Sequence, residues 1–452
     1  MPSRATTRDG SPSVTTASTG RAESVSETVC VVGLGYVGLP LALEFDRVGK
    51  SVIGYDVDPE TVSALADGID PTGDVTDERV ASADALFTTD PAHLSDADFV
   101  IVTVPTPVDS MENPDLRFVE SAAETIGAHI SPGTTVVLES TVYPGATESV
   151  LVPALESDSA HTVGEDVFVG YSPERASPGE TGRGVRDVVK VVGANSERVR
   201  DELAELYGSI VDAGIHRAPD IETAEASKVI ENVQRDMNIA LVNELAIACD
   251  HMGLTTDDVL EAAGTKWNFH DGYSPGFVGG HCIPVDPFYL TYRSKREGFS
   301  PKLVLQAREI NEYVPVHAAR KTVKTINDAG RVLRDTRLLV LGLAYKPGVG
   351  DIRSSEVGTM LEKLDEFDID FVGYDPHADP ETSRDEFDID VTESVEFEAY
   401  DGVVVATAHD EFAAYDLEAM ATSLGSNPVM IDVADVFDAD EAASQGFHYA
   451  QL

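Results

Sequence analysis

Residues 29–42 read VCVVGLGYVGLPLA, and this stretch decides the fold. Val29–Val32 is a short apolar run of the kind a buried strand needs. It runs into Gly33-Leu34-Gly35-Tyr36-Val37-Gly38, and Leu39-Pro40-Leu41-Ala42 then opens a helix. A bare G-x-G-x-x-G is weak evidence. Here it closes a strand and starts a helix, and Asp56 follows about 20 residues on, at the end of the next strand-like run. Together these make the full dinucleotide fingerprint. The glycines let backbone approach a pyrophosphate seated at the helix N-terminus. Asp56 is placed to take the ribose hydroxyls, and its carboxylate repels a 2′-phosphate, so NAD is expected rather than NADP. Cys30 lies inside the strand and reads as a small core residue.

Outward from this motif, strand-like runs alternate with helix-length segments: Val52–Tyr55, Phe99–Val104, Thr135–Leu138 and Val167–Gly170. That rhythm predicts a parallel α/β sheet. From Pro219 to Met252 it gives way to a helical pattern free of Gly and Pro, with apolar residues at Val229, Ile230, Val233, Met237, Leu241 and Leu245. A second helical stretch covers Pro301–Asn311 and continues beyond Pro315. Strands resume at Leu338–Gly342, Phe371–Tyr374, Val403–Ala406 and Met430–Asp432. The expected fold is α/β, with two doubly wound Rossmann-like domains joined by a long central helix and a helical dimerisation region. The expected boundaries are an extension at 1–27, a nucleotide domain at 28–215, a helical region at 216–330 and a second α/β domain at 331–452. The two α/β halves look alike in architecture only.

The chain has 452 residues, enough for two or three domains. Asp and Glu number 80 against 32 Lys and Arg, a formal charge of −48. Such a surface repels nucleic acid and anionic lipid. The acids are scattered through patterned sequence, as at Asp67, Asp70, Asp74, Asp77 and Glu78, so they read as a coat on a folded protein and not as an acidic tail. A protein working in concentrated salt, where self-repulsion is screened, would carry such a coat. No apolar run is long enough to span a membrane. Three cysteines suit a reducing, cytoplasmic setting better than a disulfide framework. The first 27 residues are rich in Ser, Thr and Ala without an apolar signal segment, and read as a disordered extension.

Residues 272–290 read GYSPGFVGGHCIPVDPFYL. Gly279 and Gly280 precede His281-Cys282 and would clear space for a substrate to reach the sulfur. Pro284 and Pro287 stiffen the exit, and Asp286 falls four residues after the cysteine. A lone cysteine is more often a buried thiol in a turn, but this setting favours a nucleophile. No second Cys/His pair stands at ligand spacing, so no metal is expected, and His281 reads as an orienting loop residue. On the long helix, Lys228 and Asn232 share a face at i, i+4, where they could hold an oxyanion. Taken alone, that spacing favours an ordinary solvated face.

Seven segments in order resemble the UDP-sugar 6-dehydrogenase family: GLGYVGLPLALEF at 33–45, VTVPTP at 102–107, ESTVYPGAT at 139–147, GYSPERASPGE at 170–180, EASKVIENVQRDMNIALVNELA at 225–246, PGFVGGHCIPVDPFYL at 275–290 and GLAYKPGVGDIRSSE at 342–356. The resemblance covers nearly everything after the extension. It implies a four-electron, NAD-dependent oxidation of a sugar CH2OH to a carboxylate through a thioester on Cys282. Lys228 and Asn232 match the oxyanion pair, and Asp286 an aspartate that helps activate the thiol or water. Glu174 matches an acid/base or water-orienting glutamate, and Thr141 a threonine that positions water. Gly33, Gly35, Tyr36, Val37, Gly38, Asp56, Thr106 and Arg353 match the cofactor site, while Lys228, Gly279 and Lys346 match substrate contacts. The motifs ESTVYPG and GYSPER and residues 263–269 look most like enzymes of UDP-N-acetylglucosamine or UDP-N-acetylgalactosamine. UDP-glucose and UDP-N-acetylmannosamine remain the alternatives. One departure concerns a second glutamate that UDP-glucose enzymes carry shortly after the first; Ser177 and Pro178 stand in that region here. The family also implies a homodimer through the central helix. A β-hydroxyacid dehydrogenase would need neither Cys282 nor a second α/β domain, and a silent NAD-binding sensor would not keep every reactive position filled.

Overall fold

The computed structural model describes residues 27–109, 111–157, 159–176 and 183–452. The extension expected at 1–27 therefore lies outside the described residues except for Glu27, and so do Ser177 and Pro178.

Eight strands form the first sheet: β1 (Thr28–Val32), β2 (Ser51–Tyr55), β3 (Leu86–Thr88), β4 (Phe99–Val102), β5 (Thr135–Leu138), β6 (Phe168–Tyr171), β7 (Lys190–Ala194) and β8 (Ile215–Arg217). Their order is β3-β2-β1-β4-β5-β6-β7-β8. All neighbours are parallel except β6 and β7. The second sheet holds β9 (Arg337–Leu341), β10 (Asp370–Tyr374), β11 (Asp390–Val391), β12 (Gly402–Val405), β13 (Val429–Asp432) and β14 (His448–Gln451), all parallel, in the order β11-β10-β9-β12-β13-β14. Apolar clusters cover both faces of each sheet, which explains why the strands read as continuous apolar runs rather than alternating ones.

The sequence expectation named nine of these strands to within a residue or two. The other five are shorter than four residues (β3, β8, β11), begin with Lys190 (β7), or mix polar and apolar residues (β14, HYAQ). β7 is buried along its length although it starts with Lys190.

A 32-residue helix, Ile221–Met252, follows the first sheet. The Asp220 side chain caps it by accepting the Thr223 N–H at 2.7 Å, and Gly253 ends it in the left-handed region. The helix Lys302–Asp328 packs beside it with Pro315 inside. A buried polar seam joins the two. Arg308 Nη1 donates to Asp236 Oδ1 at 2.6 Å, Asn311 Nδ2 to the same oxygen at 2.8 Å, and Asn243 Nδ2 to Asn311 Oδ1 at 2.9 Å. Asn243 also grips Gly276 through both N–H (2.8 Å) and C=O (3.1 Å), which anchors the loop that carries Cys282.

The likeness of the two α/β units goes beyond architecture, which corrects the sequence expectation. After β1, Gly33-Leu34-Gly35-Tyr36 turns with Gly33 at φ +93°; after β9, Gly342-Leu343-Ala344-Tyr345 turns with Gly342 at φ +87°. Gly33 N–H bonds Tyr55 C=O at 2.9 Å, and Gly342 N–H bonds Tyr374 C=O at 2.8 Å. Leu34 N–H donates to Asp56 Oδ2 and Leu343 N–H to Asp375 Oδ2, each at 2.7 Å. One substitution, Gly35 against Ala344, and the loss of the third glycine at Pro347 hid this repeat in the sequence.

Candidate active site

All the first-domain candidates stand at the carboxyl ends of the first sheet, the edge where open α/β sheets bind ligands. Gly33 to Gly38 follow β1, Asp56 follows β2, Thr106 follows β4, Thr141 follows β5 and Glu174 follows β6. Lys346 and Arg353 follow β9 on the corresponding edge of the second sheet.

The phosphate-binding turn is built as a cradle. A Cβ on Gly35 would meet nothing within 4 Å, so the turn is open on the side a pyrophosphate would approach. A Cβ on Gly38 would lie 1.8 Å from the Gly33 carbonyl oxygen, so Gly38 serves close strand–helix packing. Thr103 Oγ1 donates to the Gly33 carbonyl at 2.7 Å and braces the turn. The Asp56 carboxylate is pre-oriented by the N–H groups of Leu34 (2.7 Å) and Asp58 (2.9 Å). Open cradle, helix N-terminus and acidic ribose partner fit NAD. Tyr36 and Val37 form the rim, and the Thr106 carbonyl accepts the Tyr289 hydroxyl at 2.5 Å. Gly35→Ala should therefore fold as the wild type does but bind NAD at least about tenfold more weakly. Gly38→Ala should cost about 3 kcal/mol of stability through overpacking. Thermal melts and NAD titration check both; equal melting temperatures for the two variants would contradict the assignment.

The second unit closes on this rim. Arg353 lies over the Tyr36 ring, 5.4 Å from its centroid. It is held by Asp351 through Nε (2.9 Å) and Nη2 (2.8 Å), and Asp351 Oδ2 also meets His281 Nε2 at 3.0 Å. Burial pushes the Asp351 carboxyl up, but Arg353 and His281 outweigh it and hold the group well below the usual carboxylate range. His281 thus orients its loop, as expected, by tying it to the second unit.

The glycines beside Cys282 have a different reason from the one the sequence suggested. A Cβ on Gly279 would lie 2.6 Å from the Ser354 carbonyl oxygen, and one on Gly280 would lie 2.7 Å from the Tyr345 ring. They clear space for the second unit's loop, not for open access to the sulfur. Gly279 still lines a cavity of about 260 Å³ with Tyr345, Lys346 and Glu356 at the carboxyl ends of β9, β12 and β13.

Cys282 is exposed to solvent, yet its surroundings are dense enough for burial to raise its thiol pKa. Lys228 is the strongest opposing influence, with Lys346 and Arg235 adding to it, while Asp286 reinforces the rise. Lys228 and Asn232 are only 7% and 5% exposed, so the solvated helix face that their spacing favours is corrected. The face is turned inward because the Cys282 loop and the helix Asp286–Arg296 pack on it. Asn232 Nδ2 donates to Asp286 Oδ2 at 2.6 Å, and Asp286 N–H returns to the Cys282 carbonyl at 2.9 Å. Burial raises Asp286 to about 6 against the pull of Lys228 and Asn232. Among the described residues, Lys228 has no hydrogen-bond or ion-pair partner. A lysine 7% exposed beside the thiol, with no such partner of its own, is placed to meet an oxyanion.

Glu174 sits in a separate buried network that the sequence did not reveal. Its Oε2 accepts Lys190 Nζ at 2.9 Å, and its Oε1 accepts the N–H groups of Arg175 (2.6 Å) and Ala176 (2.5 Å). Lys190 also donates to Glu139 Oε2 at 2.7 Å, and Tyr207 OH to Glu139 Oε1 at 2.5 Å. The one available signal was Lys190 itself, a charge inside the apolar run 188–192, which demands a buried partner. Arg175 Nε pairs with Glu231 at 2.8 Å and so ties this loop to the helical turn bearing Lys228 and Asn232. Thr141 is half-buried in the segment after β5, following Ser140, whose hydroxyl donates to the Val104 carbonyl at 2.6 Å.

His377, His409 and Glu411 bring three ligand-type atoms within 4.8 Å of one another. His409 Nδ1 accepts the Gly348 N–H at 3.1 Å, so Nε2 carries the hydrogen donated to Asp375 Oδ2 at 3.0 Å. No lone pair on His409 is left for a metal.

A dinucleotide cradle, a thiol beside a lysine and an amide, and a second Rossmann-like unit packed against both fit a dinucleotide-dependent oxidoreductase. Comparison with known proteins makes this specific. Residues 27–211, 222–313 and 339–439 match the NAD binding, central and UDP binding domains of the UDP-glucose/GDP-mannose dehydrogenase family, and the chain belongs to that family. It is 40% identical over 415 residues to the UDP-N-acetyl-D-glucosamine 6-dehydrogenase of Pseudomonas aeruginosa, covering 92% of this chain and 98% of that protein. It is 41% identical over 388 residues to protein CapL of Staphylococcus aureus, covering 86% and 91%. Among solved structures, a UDP-D-ManNAc dehydrogenase from Pyrococcus horikoshii superposes with a TM-score of 0.84 at 30% identity, covering 94% and 98%. The chain is thus an NAD-dependent nucleotide-sugar dehydrogenase, which sets aside the β-hydroxyacid alternative. No helix among the described residues is long and apolar enough to cross a membrane.

Proposed function

We propose that this enzyme oxidises C6 of a UDP-N-acetylhexosamine of the gluco or galacto type to the uronate, through a thioester on Cys282. The observation that carries the mechanism is the convergence of Lys228, Asn232 and Asp286 on that thiol. NAD+ held by the Gly33–Gly38 turn and Asp56 would supply the hydride acceptor for both oxidations at C6. Lys228 and Asn232 hold the C6 oxygen as alkoxide and as tetrahedral oxyanion. The Cys282 sulfur bonds the aldehyde carbon while its proton passes to the carbonyl oxygen, giving a thiohemiacetal. After the second oxidation, Glu174 and Thr141 orient the water that cleaves the thioester. Lys346 and Gly279 meet the substrate at the mouth of the second sheet, and Arg353, Tyr36, Val37 and Thr106 border the cofactor. Covalent attachment keeps the aldehyde from escaping between oxidations.

The domains divide at 28–215, 216–330 and 331–452 in this reading. The enzyme works in the cytoplasm as a homodimer, and its −48 charge suits concentrated salt. Support for the dimer comes from Ile230, Leu241, Leu245 and Met252, which stand 40–63% exposed along the central helix. The gluco assignment is supported by relatives named UDP-N-acetyl-D-glucosamine 6-dehydrogenase at 40% and 37% identity. The Pyrococcus structure keeps UDP-N-acetylmannosamine as the alternative.

A panel of UDP-sugars in high-potassium buffer tests the assignment, with NADH counted and product mass recorded. Two NADH per sugar and a uronate are expected from UDP-N-acetylglucosamine or UDP-N-acetylgalactosamine. Turnover of UDP-glucose or UDP-N-acetylmannosamine alone would overturn the substrate assignment, and no turnover of any would overturn the activity.

A further inference from the structure

We propose that Lys190 is a positioning residue that fixes Glu174 as an ionised carboxylate facing the cleft, so that Glu174 serves thioester hydrolysis as a proton acceptor and not as a donor. The inference rests on the role of Glu174 in the reading above. Lys190 is 3% exposed, and its ammonium bridges two carboxylates, Glu139 Oε2 at 2.7 Å and Glu174 Oε2 at 2.9 Å. The two acids are not equivalent. The Glu139 side chain is wholly enclosed, whereas that of Glu174 keeps 17% of its surface accessible, so only Glu174 can meet a water in the cleft.

The surrounding groups divide the labour. Tyr207 donates to Glu139, and its ring lies 5.1 Å below the Lys190 ammonium. Tyr171, whose hydroxyl has no hydrogen-bond partner among the described residues, lies near Glu139 and Asp286. Glu174 takes two backbone N–H groups in addition to Lys190. The Arg175 side chain is turned away to Glu231 and the Val189 carbonyl. Burial pushes both carboxyls up. For Glu174 the ammonium and the two N–H groups outweigh it and the group ends below its ordinary range, while Glu139 ends above. Glu174 is therefore already charged when the thioester forms. As water oxygen bonds C6, Glu174 takes a water proton. The tetrahedral species collapses, the C–S bond breaks, and Cys282 leaves as the thiolate with the electron pair. The new carboxylic acid then ionises to bulk water.

The test follows decay of the acyl-enzyme on Cys282 by intact mass after one turnover with the UDP-sugar that the enzyme oxidises, across pH, in the holoenzyme. In the wild type the rate stays level down through the ordinary carboxylate range. In Lys190→Met, Glu174 keeps its burial but loses the cation, so its pKa rises. Decay then falls about tenfold per pH unit below the new value and recovers at alkaline pH. Lys190→Arg should restore the wild-type profile. Should Lys190→Met fail to fold, the double variant Lys190→Met/Glu139→Gln removes one charge of each sign and carries the same expected shift. A wild-type profile in the variant that folds overturns the proposal. Glu174→Gln separates the two ideas: if its acyl-enzyme decays at the wild-type rate, the role of Glu174 itself is wrong. If it stalls while Lys190→Met does not, only the part assigned to Lys190 falls.

Discussion

Replacing Cys282 with serine should stop uronate formation, lowering its rate by about 10⁴–10⁶-fold, the range seen when a covalent nucleophile is removed. NAD binding should be unchanged, because the cradle at Gly33 to Gly38 lies on a different loop. The size of the effect follows from the second oxidation. A hydride can leave the aldehyde carbon only after a nucleophile has added there, when the resulting alkoxide can collapse to a carbonyl as the C–H bond breaks. A serine hydroxyl in the same place is far more weakly acidic than the thiol, and Lys228 alone cannot make it an alkoxide near neutral pH. Any turnover that Cys282→Ser retains should end at the aldehyde, with one NADH per sugar instead of two. Mass spectrometry of the product together with NADH counting decides it. Uronate formed by the variant within tenfold of the wild-type rate would remove the thioester from the mechanism.

Much of this arrangement was legible in the sequence, because the signals that survive in one dimension are local. The phosphate turn is set by a strand, three glycines and one acid within about 20 residues, and the structure keeps each in place: Gly33 with positive φ, Gly35 open, Gly38 packed and Asp56 bonded to the turn. The loop of Cys282 was legible for the same reason. What was not legible depends on contacts between distant segments. The inward turn of Lys228 and Asn232 requires the helix Asp286–Arg296, whose Asp286 is 54 positions from Asn232 in sequence. Glycines 279 and 280 were visible, but not what they make room for, since Ser354 and Tyr345 arrive from the second unit. The network of Glu139, Glu174, Lys190 and Tyr207 joins four elements, and only the misplaced charge of Lys190 hinted at it.

The same long-range contacts make the site depend on both units. Arg353 reaches Tyr36 on the cofactor turn while Asp351, its partner, holds His281 next to the nucleophile. One short segment, Asp351–Arg353, thereby touches both the cofactor rim and the catalytic loop. The cofactor cradle and the thiol cannot move apart without breaking that segment's contacts. In the proposed mechanism this couples the geometry of hydride transfer to that of sulfur attack, since both occur at one carbon.

Lys228→Met should lower kcat by about 10²–10³-fold, the usual cost of losing one oxyanion donor, with a smaller change in KM. Methionine keeps the length and burial of the side chain, so the loss is one of charge and not of packing. Two effects combine. The alkoxide and both tetrahedral oxygens lose their cation, which acts on the transition states more than on the bound alcohol. Cys282 also loses the strongest influence opposing the burial that raises its thiol pKa, so that pKa rises further. The sign follows directly: at any fixed pH below the thiol pKa the thiolate fraction falls, and alkylation by iodoacetamide slows, with its pH profile displaced to the alkaline side. Arg235 and Lys346 still act on the sulfur and limit the displacement. Measuring kcat and alkylation on the same variant separates the two roles. A fall in kcat with an unmoved alkylation profile would leave Lys228 as an oxyanion donor only. An unchanged kcat would remove it from the catalytic machinery and return it to the solvated-face reading that its spacing first favoured.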